Sequence, residues 1–288
     1  MSTQITTAFV EQYSSNVSML AQQMGSRLRS AVDVETVRGK HAFFDQIGVT
    51  AAQVRSTRHG ATPQINTPHS RRRVGLADYE WADLVDDLDK VRMLVDPTSS
   101  YAKAAAAAMN RSIDDVIIAA IGGQAQTGVS GGTNQLLPSA SKFATSAQSD
   151  GMTIAKLLAA KHFLDAGDVD PSLKRYIVCG AKQIQDLLGT TSVTSADFNT
   201  VKALAAGQVD SFLGFQFIMS NRLALANTDD RLCYAFTEDA VKLAVGADVK
   251  AKISERDDKS YATQVYYSMA LGAVRMEEEK VFEIPCDE

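Results

Sequence analysis

The sequence predicts an α+β fold, and three observations carry that expectation. One run has agreeing helix start and stop signals: Asp96 is a good N-cap, Pro97 suits the first helical position, and Gly122 and Gly123 end it. After Asn221 the chain is largely strand-like, with β-branched and aromatic clusters in LCYAF, VYYSMALGAVRM and KVFEIPC. Ahead of the helix lies a basic, proline-interrupted arm from Val49 to Arg73, followed by an acidic stretch from Asp78 to Asp89. Polar groups spent on an arm and a ridge, instead of gathered in a pocket, suggest a building block made for neighbours.

At the start, Phe9, Tyr13, Val17, Leu20, Met24 and Leu28 recur at steps of four or three and so share one helical face. A lone terminal helix has little stability of its own, so this stripe is expected to dock on its own domain or on another subunit. From Ala31 to Ile47 the residues become β-branched and aromatic between Gly39 and Gly48, as in short strands. The arm then carries Arg55, Arg58, Arg71, Arg72 and Arg73 with His59, His69, Pro63 and Pro68, and hardly a core-forming residue. A hairpin with about a dozen residues per side would reach roughly 40 Å, far beyond an ordinary connection.

Next, Asp78, Glu80, Asp83, Asp86, Asp87 and Asp89 crowd around Trp81, Leu84, Leu88 and Val91. Carboxylates so close repel one another unless they are solvated, metal-bound or faced by cations. The arginine triplet Arg71 to Arg73 offers such cations, within one chain or across a contact between chains. The DxDxDG order of a calcium loop is absent.

The capped run from Pro97 to Ile121 has an apolar stripe of Tyr101, Ala105, Met109, Ile113, Val116, Ile117 and Ala120. About 25 residues at 1.5 Å make a rod of roughly 37 Å. Ala104 to Ala108 either admit another backbone closely or serve helix propensity alone. A Gly-, Ser-, Ala- and Gln-rich linker from Gln124 to Asp150 is expected to separate two lobes. Beyond it, Thr153 caps a helix ending near Gly167, LKRYIVCG reads as a strand, AKQIQDLLG and ADFNTVKALAAG as helices, and FLGFQFIMS as a buried strand. A short helix is expected around EDAVKLAV, and the alternation of Val249, Ala251 and Ile253 marks another strand.

With 288 residues, 45% hydrophobic and 22% charged, the chain is able to bury a large core. A net charge of −5 excludes tight, global adhesion to nucleic acid but not loose enclosure of it. Cys179, Cys233 and Cys286 form neither a disulfide framework nor a CxxC metal knuckle, which fits a reducing cytoplasm. The N-terminal residues lack the basic and apolar regions of a signal peptide, and no window approaches a membrane span, so a soluble, unexported protein with no membrane partner is expected.

No catalytic, cofactor or metal constellation emerges. GGQAQTGVSGG lacks the phosphate-loop order and its lysine. Cys179 with His162 upstream is better read as a small hydrophobe at a strand end than as a nucleophile with its base. The four histidines show no zinc spacing, and no aromatic residues interleave with Arg71 to Arg73 to make a stacking surface.

The order of these parts resembles the major capsid proteins of tailed bacteriophages, with their Hong-Kong-type (Johnson) fold. The residues that carry the resemblance are RRRVGLADYEWADLVDDLDKVRMLVDPTSSYAKAAAAAMNRSIDDVIIAAIGGQAQTG, ADFNTVKALAAGQVDSFLGFQFIMSNRL and AFTEDAVKLAVG. The resemblance implies an N-terminal arm over residues 1 to 30, the start of a peripheral (P) domain over 31 to 48, and an extended loop over 49 to 75. It implies P domain with a long spine helix (97 to 121) and linker over 76 to 150, an axial (A) domain over 151 to 225, and C-terminal P-domain strands over 226 to 288. The implied subunit contacts are Phe9, Tyr13, Leu20, Arg55, Arg58, Arg71, Arg72, Arg73, Asp83, Asp86 and Asp87.

The implied function is that of a non-enzymatic shell subunit, without cofactor, that forms pentamers and hexamers in the host cytoplasm and encloses double-stranded DNA in a virion. A portal protein and a separate scaffolding protein are implied partners, the latter because the family-like part begins within the first forty or so residues. Some members weld the shell through a lysine on the extended loop, but Val49 to Arg73 contains none, so that bond is not expected. Reversing Arg71 to Arg73 to acidic residues is expected to leave a folded subunit that closes no shells. Two alternatives stay open: an encapsulin-like compartment of the same fold, and an α/β enzyme working at the glycine-rich segment.

Overall fold

The computed structural model describes residues 22–55, 57–60, 62, 64–85, 98–143, 150–189, 211–226 and 229–288. Its elements are β1 (Asp33–Thr36), β2 (His41–Ile47), β3 (His69–Gly75), β4 (Ala77–Val85), α1 (Thr98–Gly122), β5 (Ala125–Thr127), β6 (Thr133–Gln135), α2 (Ile154–Ala166), β7 (Arg175–Cys179), α3 (Ala181–Gly189), β8 (Ser211–Phe212), β9 (Phe215–Met219), β10 (Asp230–Thr237), β11 (Val241–Arg256), β12 (Ala262–Arg275) and β13 (Val281–Asp287). They form three sheets, ordered β1-β11-β12-β4, β13-β10-β7-β9-β8 and β2-β3-β5-β6. The chain divides into a larger compact unit (Ser26–Ala77, Ile113–Gly246, Ala270–Glu288) and a smaller one (Met1–Gly25, Asp78–Ser112, Ala247–Met269).

In the larger unit the core follows the apolar runs. All five residues of β7 are buried, as expected of an inner strand with both faces covered. It pairs antiparallel with β10 and parallel with β9. On α2 the Thr153 hydroxyl accepts from the Lys156 backbone N–H and Gly167 follows the last helical residue, as the capping signals require. Lys156 is buried, and its Nζ donates to the Pro285 carbonyl at 2.9 Å, which ties α2 to β13. The long helix α1 spans 25 residues. Its buried positions Ala105, Met109, Ile113, Ile117 and Ile121 repeat every four residues; the first four belong to the stripe expected from sequence, whose Tyr101, Val116 and Ala120 are half-buried.

Three expectations are corrected. EDAVKLAV is not a helix: Ala240 N–H closes a turn onto the Thr237 carbonyl at 3.0 Å, and β11 begins at Val241. A short apolar run does not distinguish the two periods, and here β1 pairs in register with Lys242 to Val245 while Leu243 and Ala244 are wholly buried. FLGFQFIMS is not one buried strand, because Leu213 and Gly214 take positive φ and fold it into a β8–β9 hairpin. The segment read as a linker contains the β5–β6 hairpin, and the whole of Ile113–Gly246 belongs to the larger unit.

The helix expected at ADFNTVKALAAG lies outside the described residues. So do Phe9, Tyr13 and Leu20, and Asp86, Asp87 and Asp89 of the acidic stretch. Of the N-terminal stripe, Leu28 is fully buried and Met24 is half-exposed.

Truncating Ile177, wholly buried at the centre of β7, to alanine is expected to cost about 2–5 kcal/mol. Removing the cap with Thr153→Ala is expected to cost about 1 kcal/mol. Urea unfolding followed by circular dichroism measures both.

Candidate functional site

The base of the arm is the antiparallel pair β2–β3, with Phe43 opposite Arg73, Phe44 opposite Arg72 and Asp45 opposite Arg71. Strand side chains alternate between faces, so the arginine triplet is split. Phe44, Arg72 and Val74 turn inward and are buried, whereas Phe43, Asp45 and Arg71 lie on the outer face and remain accessible.

Arg72 is only 6% exposed. Its Nε donates to the Met276 carbonyl at 2.8 Å and its Nη2 to Glu278 Oε2 at 2.7 Å. Glu278 also faces Arg275, whose Nε lies 3.5 Å from Oε1. Arg275 is wholly buried and donates to three carbonyls, Ile121 at 2.8 Å, Gly123 at 2.7 Å and Gln135 at 3.1 Å. Two guanidiniums thus share one carboxylate, and the carbonyls at the end of α1 supply the remaining negative potential. Burial lowers the Arg275 guanidinium from its usual range, Arg72 adds to that, and Glu278 opposes it. The last helical residue has to be glycine for a steric reason: a Cβ on Gly122 would stand 2.2 Å from the Tyr234 hydroxyl.

On the outer face Arg71 binds Asp45 through two nitrogens and lies 5.4 Å from the centre of the Phe43 ring. Its hydrogen bond holds the Asp45 carboxyl below the usual carboxylate range. The Arg73 stem packs on Gly131, which has φ +70° and where a Cβ would stand 2.3 Å from Arg73 Cδ. Arg73 Nη2 donates to His41 Nε2 at 2.8 Å. Desolvation, then the charges of Arg73 and Lys40, lower His41 from its ordinary 6.5, so the ring accepts as the neutral base.

Beyond this base, Gly48 N–H donates to the Pro68 carbonyl at 2.8 Å and closes the hairpin. Every described residue from Ile47 to Ser70 is exposed. Val49 is 97% and Val54 93% exposed. Arg55 and Arg58 stand on this arm, and Arg55 makes a local bond to the Thr57 carbonyl. Asp83 is half-buried on β4.

The helix carries an anchor that sequence reading missed. Asp114 is fully buried and accepts from Ser26 Oγ at 2.6 Å and from the backbone N–H groups of Arg27 and Leu28. A carboxylate at a buried position of the helical stripe was the available signal. One turn earlier, Arg111 donates to Gln22 Oε1 at 2.7 Å and Asn110 to the Met24 carbonyl.

The glycine-rich segment forms the β5–β6 hairpin turn and not a phosphate cradle. Burial pushes the Cys179 thiol up to about 12, with Cys286 adding to it, so Cys179 behaves as an apolar group, while His162 is exposed on α2. Among the described residues no group of His, Cys, Asp and Glu is arranged to hold a metal, and no helix is long and apolar enough to cross a membrane.

Residues 5–288 match the model of a family described as phage capsid protein. The chain belongs to the phage capsid protein family. Solved structures agree in fold. The capsid of cyanophage P-SCSP1u shares 18% identity at a TM-score of 0.77, covering 100% of this chain and 96% of that one. Mycobacterium phage Che8 gives 19% identity and a TM-score of 0.71, covering 96% and 97%. The capsid of cyanophage Pam1 gives 13% and 0.72, covering 98% and 97%. Among curated proteins none matches this chain. The fold is therefore the phage major capsid fold expected from sequence, with α1 as its long spine helix, and the protein is a structural component of a phage head shell.

The structure revises what the arginine triplet tolerates: reversing all three charges would place a carboxylate at Arg72 beside buried Glu278, so loss of the fold is expected instead of a folded subunit. Glu278→Gln, which leaves two buried guanidiniums without a carboxylate, is expected to cost about 3–5 kcal/mol in urea unfolding, whereas Arg71→Ala should leave the midpoint nearly unchanged. By NMR, His41 is expected to titrate below 6.5 and to move back upward in Arg73→Gln. Because its folded value lies below its unfolded one, its contribution to stability is full above pH 6.5 and fades as pH falls through that range.

Proposed function

We propose that this capsid protein self-assembles into hexamers and pentamers of an icosahedral head that encloses double-stranded DNA. The observation that carries this is the arm: a long hairpin whose described residues from Ile47 to Ser70 are all exposed, apolar Val49 and Val54 included. A chain that leaves such residues uncovered is completed by other copies. Many weak contacts repeated around closed symmetry sum to a strong wall while each stays reversible enough to correct errors.

In this proposal residues 49 to 75 are the extended loop, residues 151 to 225 the axial domain and the remainder, apart from the N-terminal arm (1 to 30), the peripheral domain. Arg55 and Arg58 meet carboxylates of a neighbouring copy, among them Asp83, Asp86 and Asp87, and Arg71 completes the basic face at the base of the arm. Phe9, Tyr13 and Leu20 cover an apolar strip of an adjoining subunit. A separate scaffolding protein shapes the precursor in the bacterial cytoplasm, a portal protein occupies one vertex, and an acidic wall, net charge −5, holds DNA only loosely. No catalysis is assigned, since family and fold are those of structural capsid proteins.

Expression of the chain with its scaffolding protein, followed by electron microscopy, is expected to show closed hollow particles. Arg55→Glu combined with Arg58→Glu should give folded subunits that stay unassembled. Absence of particles from the unaltered chain would sink the assembly proposal, and normal particles from the double variant would remove the two arginines from it.

A further inference from the structure

Among the described residues, two segments with complementary properties expose side chains to solvent. One is β4, the last strand of the sheet β1-β11-β12-β4, which among the described residues pairs only with β12. It runs for nine residues and exposes Asp78, Glu80, Ala82 and Leu84. Long open edges are normally blunted by charged side chains, proline or a bulge, or are covered. The sequence ADYEWADLV contains neither proline nor lysine and its charges are all carboxylates, so the edge repels acidic strands but stays open to a basic one.

The other is the first limb of the arm. Val49–Arg55 reads VTAAQVR, is exposed at every residue and belongs to no helix or strand. It has neither proline nor glycine, whereas the returning limb contains Pro63 and Pro68, which cannot donate to a ladder. From Val49 to Pro68 there are two arginines and no carboxylate, opposite in sign to the exposed edge of β4. Seven extended residues span about 23 Å and nine about 30 Å, so the limb fits within the edge.

We propose that Val49–Arg55 of one copy adds as a strand to the open edge of β4 of a neighbouring copy. This rests on the shell assembly proposed above and names the pairing within it. Main-chain hydrogen bonds supply the attachment, and the arginines against Asp78, Glu80 and Asp83 set its register and direction. The limb Val49–Arg55 and alternate residues of β4 are exposed, so both are accessible to another copy.

The test uses the full chain with Val54→Cys and Ala82→Cys combined, in assembled particles treated with a short bismaleimide. Cys179, Cys233 and Cys286 are fully buried, which keeps the background low. Covalent multimers larger than dimers are expected from the double variant, and monomers from either single variant. In parallel, Val54→Pro should cut the yield of closed particles about tenfold, while Gln64→Pro on the returning limb should not; circular dichroism confirms that both subunits are folded. Particles that form normally but link no better than the single variants overturn the strand pairing and leave the shell proposal standing. Linkage without any effect of Val54→Pro also overturns it, because proximity alone needs no ladder. If the unaltered chain forms no particles, the shell proposal fails and the pairing falls with it.

Discussion

The larger unit depends on a buried cluster of like charges held together by few opposing groups. Arg72 and Arg275 share Glu278, and Arg275 also gathers the carbonyls of Ile121, Gly123 and Gln135. Among the described residues Arg72 Nη1, Arg275 Nε and Glu278 Oε1 are left without a hydrogen bond, so the cluster is tolerable only because the ion pairs and carbonyls satisfy its remaining donors, since each unpaired buried charge costs several kcal/mol. The end of α1 provides that geometry. Its last carbonyls have no helical partner and carry the negative end of the helix dipole, so a buried arginine there answers two needs at once.

The consequence is positional. Arg72 lies on β3, Arg275 ends β12, and Gln135 ends β6, so one network ties the spine helix, the base of the arm and the β5–β6 hairpin into a single rigid corner. The neighbours of Arg72 in sequence point the other way. Arg71, stacked on Phe43 and bound to Asp45, and Arg73, resting on Gly131, form the outer surface of that corner. Three consecutive arginines therefore divide between interior structure and exterior contact by the alternation of a strand alone.

The two ends of the helical surface are managed differently. Asp114 fixes Ser26 to Leu28 through hydrogen bonds to backbone and hydroxyl groups, a directional clamp that sets where the N-terminal segment meets the helix. The arm is the opposite case: beyond the Gly48 to Pro68 closure its described residues bury nothing. Such a segment has no buried apolar contact of its own to stabilise it.

Much of the fold was legible because it depends on local chemistry. Gly122–Gly123 closed the spine helix, Thr153 and Gly167 bracketed α2, alternation marked β11 and strand-forming residues marked β12, while Asp96 and Pro97, expected to open the spine helix, lie outside the described residues. The strand at EDAVKLAV and the hairpin inside FLGFQFIMS were not legible, because a short apolar run carries both periods and only the pairing of β1 with β11, and the positive φ of Leu213, decide between them. The site divides in the same way. Residue order alone determined that a lysine-free, acid-free basic arm precedes an acidic stretch and a long helix. Only the tertiary structure decided that Arg72 is an internal counter-charge and Asp114 an anchor, because burial and the identity of a partner 206 or 88 residues away are properties of packing, which no local pattern encodes.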